Sequence, residues 1–340
     1  MSTVTAEEKK VLSLGFIGVG WIGRNRMEVL INSGLATAAV ISEPSAENAA
    51  QALLSVPEAT VANSPEEAVA NEDIDGIVIA TPSALHAEQS LKALDAGKHV
   101  FCQKPLGRTA AEVKAITEAS AKAGKFLAVD LSYRHTKAMR AVHEMVSSGE
   151  IGKIYAAELI FHNAYGPDKS WFYDVKQSGG GCVMDLGIHL VDTALWCLGF
   201  PEIAQVRSRL YHQGKIIENP EETAEDFASV MMTTENDVTI NLQCSWNISA
   251  GKDAVIEARF YGTGGGVAFK NINGSFYDFT AEKYTGTQTE ILFSGEDNWS
   301  GRAGIVWAEA LLAGQGYDAQ SASEFIKTAR IIDRIYGRQS

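Results

Sequence analysis

The chain has 340 residues, of which 46% are hydrophobic, so it can form two domains that each bury a core. Its formal net charge is −13 and Lys and Arg form no dense run, which argues against nucleic acid or an anionic membrane as a partner. No apolar run reaches the about 18 residues of a membrane span, and residues 1–10 lack the apolar core of a signal peptide, so we expect a cytoplasmic protein.

The first part of the chain alternates apolar strands with helices. The predicted strands cover residues 11–17, 37–41, 74–80, 99–102 and 126–131. Between them lie predicted helices, one over residues 21–32 and others with capping residues at Ser64, Ser83 and Thr109. This alternation predicts a doubly wound parallel sheet, and we assign residues 1–132 to an α/β Rossmann domain.

A glycine motif follows the first predicted strand and opens the first helix. Gly18, Gly20 and Gly23 fit G-x-G-x-x-G, with Trp21 and Ile22 between the last two glycines. Between a strand and a helix, this motif is typical of a turn that brings backbone N–H groups to a pyrophosphate. The sequence therefore predicts a dinucleotide site, and the alternative is a glycine-rich turn that binds nothing.

Glu43 lies at the end of the second predicted strand, where an acidic residue can accept hydrogen bonds from the adenosine ribose. Residues 42–48 contain no Lys or Arg that could bind a 2′-phosphate. The sequence therefore favours NAD over NADP, and the alternative for Glu43 is an ordinary solvated carboxylate.

From about residue 150 strands follow one another without helices between them. A predicted strand over residues 153–163 and a buried helix over residues 183–198 come first. Further strands cover residues 203–211, 227–234, 238–246, 255–261, 274–280 and 290–293, and two helices near residues 303–312 and 319–336 follow them. We assign residues 133–340 to an α+β domain with a large, mostly antiparallel open sheet.

The buried helix carries a carboxylate and an imidazole one turn apart. Asp185 and His189 share a face of this helix, directly after three consecutive glycines at residues 179–181. A carboxylate in that place can orient the ring and tune its proton affinity. The alternative is a buried pair that satisfies only itself.

Lys104 precedes Pro105 at the carboxyl end of a predicted parallel strand. Ligands bind at that edge of such sheets, so Lys104 is a candidate active-site residue, the alternative being a surface lysine. The four cysteines form no C-x-x-C pair and no His/Cys cluster has ligand spacing, so we expect reduced thiols and no metal site.

Together these motifs resemble the Gfo/Idh/MocA (glucose–fructose oxidoreductase / inositol dehydrogenase / rhizopine catabolism) oxidoreductase family. The resemblance extends from Gly15 to Tyr336 and rests on Gly18–Gly23, Ala80–His86, Ala96–Val100, Gln103–Leu106 and Gly179–His189. It implies a Rossmann domain, a second domain for substrate binding and oligomerisation, and NAD(P)-dependent oxidation or reduction of sugars or cyclitols.

The resemblance also implies roles for single residues. Lys104, Asp185 and His189 match the family's active-site lysine, helical aspartate and catalytic histidine. The expected cofactor-binding residues are Gly18, Gly20, Trp21, Ile22, Gly23, Glu43, Thr81, Pro82, His86, Gln103 and Lys104. The expected substrate-binding residues are Lys104, Tyr133, His162, Trp171, Asp185 and His189.

Two positions depart from the family's pattern. Gln103 replaces the usual Glu that contacts the nicotinamide ribose, and it can still accept a hydrogen bond there without a charge. Arg26 stands where the family often has His, and it could hold a phosphate or lie in solvent.

The predicted function is hydride transfer between a secondary hydroxyl of a neutral sugar or cyclitol and nicotinamide. His189 would exchange the hydroxyl proton, Asp185 would hold its ring, and Lys104 would stabilise charge on the oxygen. The glycines before the helix would leave room for the nicotinamide, and the open sheet would form a homodimer or homotetramer. The alternatives are a redox-neutral sugar-modifying enzyme that retains its NAD and a non-catalytic NAD-binding regulator.

Overall fold

Two β-sheets organise the computed structural model, which describes residues 10–338. The N-terminal segment on which the signal-peptide expectation depends lies, apart from Lys10, outside the described residues. The first sheet has strands β1 (Leu12–Ile17), β2 (Ala36–Ser42), β3 (Thr60–Ala62), β4 (Gly76–Ile79), β5 (His99–Cys102) and β6 (Leu127–Val129). Its helices are α1 (Trp21–Asn32), α2 (Ala46–Leu53), α3 (Pro65–Val69), α4 (Ser83–Asp95) and α5 (Ala110–Ala123).

All six strands of the first sheet are parallel, in the order β3-β2-β1-β4-β5-β6. The chain moves outward from β1 to β3 and then returns to start again at β4 on the other side. Ligands bind outside the carboxyl ends of the strands at such a reversal. The predicted doubly wound Rossmann sheet is therefore confirmed.

The second sheet has strands β7 (Ile154–Asn163), β8 (Ile203–His212), β9 (Lys215–Ile216), β10 (Phe227–Thr234), β11 (Thr239–Ser245), β12 (Ala254–Gly262), β13 (Gly265–Asn271), β14 (Asp278–Thr285) and β15 (Gln288–Glu296). The helices of this part are α6 (Lys137–Ser147), α7 (Val175–Ser178), a π-helix (Val183–Gly187), α8 (Ile188–Cys197), α9 (Arg302–Leu312) and α10 (Ala319–Ile335). The buried helix expected over residues 183–198 is thus two helices of different pitch.

The second sheet is antiparallel except for the pair β7–β11, which is parallel. The strand order is β15-β14-β13-β12-β7-β11-β10-β8-β9, so the predicted mostly antiparallel sheet is confirmed. Strand β13 was not predicted, because the glycines at its start are typical of a turn.

One face of the second sheet is covered by helices and the other is not. Along β10 the buried residues Ala228, Val230 and Met232 alternate with more exposed ones. The buried residues belong to the same core as Val191 and Leu195 of α8. The residues that alternate with them therefore point to the uncovered side of the sheet, which we call the open face.

Within residues 10–338 no helix combines the length and hydropathy needed to cross a membrane.

Helix α9 returns to the first sheet. Trp307 lies in one core with Leu14 and Val78, and its ring centroid is 5.7 Å from that of Phe101. Residues 302–312 therefore complete the core of the Rossmann sheet, although our division of the chain placed all residues after 132 in the second domain.

Candidate active site

The glycine loop lies between β1 and α1, at the carboxyl edge of the first sheet. A Cβ on Gly18 would come within 2.7 Å of the Ala80 carbonyl oxygen, and one on Gly23 within 2.0 Å of the Gly18 carbonyl oxygen. The chain's own packing therefore requires these two glycines. A Cβ on Gly20 would meet only Asn48 at 3.9 Å, so the space in front of Gly20 is open to a ligand.

The N-terminal end of α1 can receive an anion. No side chain caps this end, so its first N–H groups are free to donate, and Trp21 beside them is 67% exposed. An uncapped helix end beside an open glycine fits the pyrophosphate of a dinucleotide.

Glu43 braces the glycine loop. Its carboxylate accepts hydrogen bonds from the N–H of Val19 at 2.9 Å and from the N–H of Ser45 at 3.0 Å. It is therefore not simply a solvated carboxylate. Each of its oxygens has a second lone pair with which it could accept from a ribose hydroxyl.

His86 links two loops of the same edge. Its Nδ1 lies 2.6 Å from the Pro105 carbonyl oxygen and its Nε2 lies 2.7 Å from the Thr81 carbonyl oxygen. A neutral imidazole donates to one of these carbonyl oxygens, while its other nitrogen lies beside the second, so both nitrogens face the protein. We had expected His86 to contact the cofactor, but these contacts place it as a support for the loops after β4 and β5.

Lys104 pairs with Asp185 across the two domains. The Lys104 ammonium donates to the Asp185 carboxylate oxygen Oδ1 at 2.7 Å and to the Asp185 carbonyl oxygen at 2.6 Å. Both side chains remain about one-sixth exposed, 17% and 16%. An ammonium has three N–H groups, so Lys104 keeps one for a ligand.

Asp185 does not hold the ring of His189. Its other carboxylate oxygen, Oδ2, accepts from the indole N–H of Trp246 at 3.0 Å. The expectation assumed the pitch of an α-helix, but Asp185 lies in the π-helix, whose wider turn changes the direction of its side chain. Asp185 therefore orients Lys104.

His189 has no hydrogen-bond partner among residues 10–338, and its ring packs against the ring of Tyr133 at a centroid distance of 5.1 Å. Burial, followed by the positive charges of Lys104 and Arg26, holds the pKa of His189 well below its usual value of 6.5. The imidazole is therefore neutral at pH 7 and its nitrogens are free for a substrate.

The three glycines before the π-helix make room for other parts of this chain. A Cβ on Gly181 would lie 2.0 Å from the Glu225 carbonyl oxygen, and one on Gly180 would lie 2.0 Å from the Tyr336 hydroxyl oxygen. Gly179 has φ +86° and contacts Arg108. The expectation that these glycines leave room for a nicotinamide is therefore wrong.

Hydrogen bonds to the Glu225 side chain hold the glycine segment close to the backbone of Glu225. Its buried carboxylate accepts from the N–H groups of Gly181 at 2.9 Å and Val183 at 2.8 Å, and from the Tyr336 hydroxyl at 2.8 Å. It satisfies donors at the start of the π-helix that would otherwise have no partner. Glu225 thereby fixes the segment that carries Asp185.

Arg26 and Gln103 meet at a third residue, Asp130. Arg26 is 2% exposed, its Nε donates to Asp130 Oδ2 at 2.6 Å, and its guanidinium lies 5.2 Å from the ring centroid of Trp299. The expectations of a phosphate contact or a solvated side chain are therefore both wrong. The amide of Gln103 donates to the same oxygen of Asp130.

Two expected substrate residues, His162 and Trp171, make no side-chain hydrogen bond or ring contact with Lys104, Asp185 or His189 among residues 10–338. His162 follows Phe161, whose ring faces His189, so His162 points to the open face and hydrogen-bonds with Ser245 there at 2.7 Å. Trp171 stacks on Phe172 at 3.8 Å. Its neighbour Tyr173, not Trp171, has its ring against Trp246 with a centroid distance of 5.5 Å.

Trp246, Glu225 and Asp130 were not predicted from the sequence. Asp130 directly follows the last strand of the parallel sheet, so the rule that ligands bind at carboxyl ends could have identified it. Trp246 and Glu225 act through partners more than 40 residues away in the chain, and no local signal indicates them.

Replacing Trp246 with phenylalanine should lower turnover by about 10-fold or more, because a hydrogen bond to a charged carboxylate contributes about 1.5–3 kcal/mol. The ring would still fill the space against Tyr173, but Asp185 would lose the N–H that orients it. Steady-state kinetics of Trp246→Phe measures this. As a control, Trp196→Phe changes a tryptophan stacked on His143 and should leave turnover unchanged; equal turnover in both would show that the indole N–H is dispensable.

Comparison with known proteins gives matches to two family models. An oxidoreductase family model, NAD-binding Rossmann fold, matches residues 12–131, and a GFO/IDH/MocA C-terminal domain model matches residues 139–268. The chain is 31% identical over 249 residues to inositol 2-dehydrogenase of Acidiphilium cryptum, covering 71% of this chain and 69% of that protein.

Other similarities are shorter or more distant. A match to 1,5-anhydro-D-fructose reductase of Ensifer adhaerens has 36% identity over 135 residues, 39% of this chain and only 40% of that relative. A levoglucosan dehydrogenase in complex with NADH and levoglucosan has a TM-score of 0.80 at 23% identity, over 96% of this chain and 97% of that one. At that identity the structural match shows a shared fold.

Proposed function

Because the chain belongs to the Gfo/Idh/MocA oxidoreductase family, with its NAD-binding Rossmann domain, we propose that it is a sugar or cyclitol dehydrogenase. One observation carries this proposal: Lys104, at the dinucleotide edge, pairs with Asp185 at 2.7 Å, and Asp185 lies on the π-helix that leads directly into the helix carrying His189. This is the acid–base set that oxidation of a secondary alcohol requires.

The protein's part in the reaction is to position the substrate and exchange a proton. NAD, when bound, accepts the hydride from carbon or returns it. His189 takes the hydroxyl proton on a ring nitrogen, because its imidazole is neutral and free of other hydrogen bonds. The remaining N–H of Lys104 donates to the same oxygen and stabilises the charge that develops there.

The preferred cofactor in this proposal is NAD. Glu43 lies beside the glycine loop with its carboxylate against Val19, where a 2′-phosphate would bring a second negative charge. No Lys or Arg in residues 42–48 offsets that repulsion.

The proposed substrate is a neutral polyol. Tyr173 is 46% exposed and its ring lies against Trp246, the residue that donates to Asp185, and an exposed aromatic ring can pack against the apolar face of a sugar. Lys104 is 17% exposed and Asp185 already neutralises its charge, so this pair offers no net positive charge to a phosphorylated substrate.

A substrate screen tests the function. The purified protein is incubated with neutral sugars and inositols and with NAD or NADP, and NADH absorbance is followed. We expect NADH to accumulate with at least one polyol and faster with NAD. Product formed without net NADH would instead support a redox-neutral enzyme that oxidises, modifies and re-reduces its substrate. Absence of any product would support a binding regulator, for which the set of Lys104, Asp185 and His189 has no use.

The pH dependence of oxidation should follow His189. Because the pKa of His189 lies well below 6.5, its imidazole stays neutral at pH 6.5. We therefore expect kcat/KM to be maintained at pH 6.5 and to decline only at lower pH. A pH profile with an accepted polyol measures this. A decline centred at or above the usual histidine value would contradict the assignment of His189 as the base.

The open face of the second sheet is the proposed contact of a homodimer or homotetramer. It carries polar pairs such as Tyr261 with Glu158 and Lys270 with Glu282, within a partly exposed surface. Sedimentation analysis tests this assembly, and a monomer at micromolar concentration would exclude it.

A further inference from the structure

Arg26, Gln103 and Asp130 come from three different elements and form one buried chain of hydrogen bonds. Arg26 belongs to α1, Gln103 follows β5 and Asp130 follows β6, and all three are less than one-tenth exposed. Oδ2 of Asp130 accepts from both of the others. These hydrogen bonds therefore link three elements along the carboxyl edge of the Rossmann sheet, next to Lys104.

The chemistry of Asp130 determines the orientation of the Gln103 amide. A carboxylate paired with a guanidinium can only accept hydrogen bonds, so Gln103 must turn its NH₂ group toward it. The carbonyl oxygen Oε1 of Gln103 then points the other way. It accepts nothing from residues 10–338 and is not among the sealed polar atoms, so it is open to a ligand.

The remaining oxygen of Asp130 takes no part in this arrangement. Oδ1 is buried and has no hydrogen-bond partner among the described residues, so Oδ2 alone accepts from both Arg26 and Gln103.

We propose that Asp130 is a positioning residue for the cofactor, which fixes the Gln103 amide so that its Oε1 accepts a hydrogen bond from a hydroxyl of bound NAD. This rests on the proposed function. Gln103 lies two strands from the glycine loop, in the order β1-β4-β5, and adjoins Lys104, so its amide lies on the dinucleotide edge beside the proposed catalytic lysine.

The proposal is tested by moving the negative charge from position 130 to position 103, first with each substitution alone and then with both together. In Gln103→Glu two carboxylates face each other at hydrogen-bond distance, so the NADH dissociation constant should rise about 10-fold or more. In Asp130→Asn the amide of Gln103 loses its fixed orientation, and the constant should rise about 3- to 10-fold. Binding is measured by titrating NADH against tryptophan fluorescence, with no substrate present.

The double variant Gln103→Glu with Asp130→Asn should recover binding to within about threefold of the original protein. In it the amide NH₂ introduced at position 130 can donate to the new carboxylate, and Arg26, whose Nε met the same oxygen of Asp130, can pair with that carboxylate directly. The net charge of the three residues is then the same as before. A structural role alone predicts no such recovery.

The matched control is Asp333→Asn. Asp333 is also a buried aspartate near an arginine: its Oδ1 makes no hydrogen bond and lies 3.5 Å from Nη1 of Arg338, but its Oδ2 accepts from the N–H of Ala110 at the start of α5. This variant should lower the melting temperature and leave NADH affinity unchanged.

The proposal is supported if the double variant recovers NADH affinity and the Asp333→Asn variant keeps the NADH affinity of the original protein. No recovery, or an Asp130→Asn variant that changes only the melting temperature, overturns it. If Asp130→Asn alone does not fold, the comparison of Gln103→Glu with the double variant still decides. Failure of the original protein to bind NADH would remove the proposed function itself, whereas normal binding without recovery removes only the role of Asp130.

Discussion

Replacing Lys104 with methionine should lower turnover by about 10²-fold or more and leave the protein folded. Methionine keeps the length of the side chain but removes the N–H that would stabilise charge on the substrate oxygen. It also leaves Asp185 with Trp246 as its one remaining side-chain donor among the described residues. Steady-state kinetics with an accepted polyol, together with thermal melting, measures the effect.

A lysine outside the candidate active site provides the control for this experiment. Lys114 is 59% exposed on α5 and lies 3.8 Å from Glu118, so Lys114→Met should keep turnover within about twofold because exposed ion pairs contribute little. If Lys104→Met turned over substrate at the rate of Lys114→Met, the proposed role of the Lys104–Asp185 pair would be wrong.

Replacing Gly181 with alanine should destabilise the protein by about 3 kcal/mol or more, because the added carbon overlaps backbone on both sides. The Cβ would lie 2.0 Å from the carbonyl oxygen of Glu225 and 2.6 Å from its nitrogen, and backbone atoms cannot rotate away. The displaced segment would also lose the Glu225 bonds to Gly181 and Val183. Urea denaturation of the purified variant, or its failure to accumulate in soluble form, measures this.

Gly304→Ala is the matched substitution for comparison. Gly304 lies within α9, and a Cβ there would make an ordinary contact with Leu30 at 3.6 Å. Alanine is the better helix former by about 1 kcal/mol, so this variant should be as stable as the original protein or more stable. Similar unfolding midpoints for the two alanine variants would contradict the packing argument at Gly181.

Local patterns were enough to predict the architecture. Alternation of apolar strands with capped helices predicts the parallel sheet, and the glycine motif predicts where its ligand edge lies. Strand β13 was missed because its glycines have the local signal of a turn. The return of α9 to the first sheet was missed because its apolar face fits either core equally well in sequence.

The residues of the candidate site could be predicted from the sequence, but their hydrogen-bond partners could not. Lys104, Asp185 and His189 were identified from the sequence, but the partner of Asp185 depends on the π-helix pitch and on Trp246, which is 61 residues away in the chain. The two departures from the family pattern, Gln103 and Arg26, seemed unrelated. Only the fold shows that both contact Asp130.

The return of α9 has a consequence for biosynthesis. The strands of the Rossmann sheet are complete once residue 129 has left the ribosome, but Phe101 lacks the ring of Trp307 until α9 is synthesised. The growing chain therefore carries an unfinished apolar surface while residues 130–301, which include the whole second sheet, emerge. The nascent protein should bind chaperones through that surface, and a fragment ending before residue 302 should aggregate.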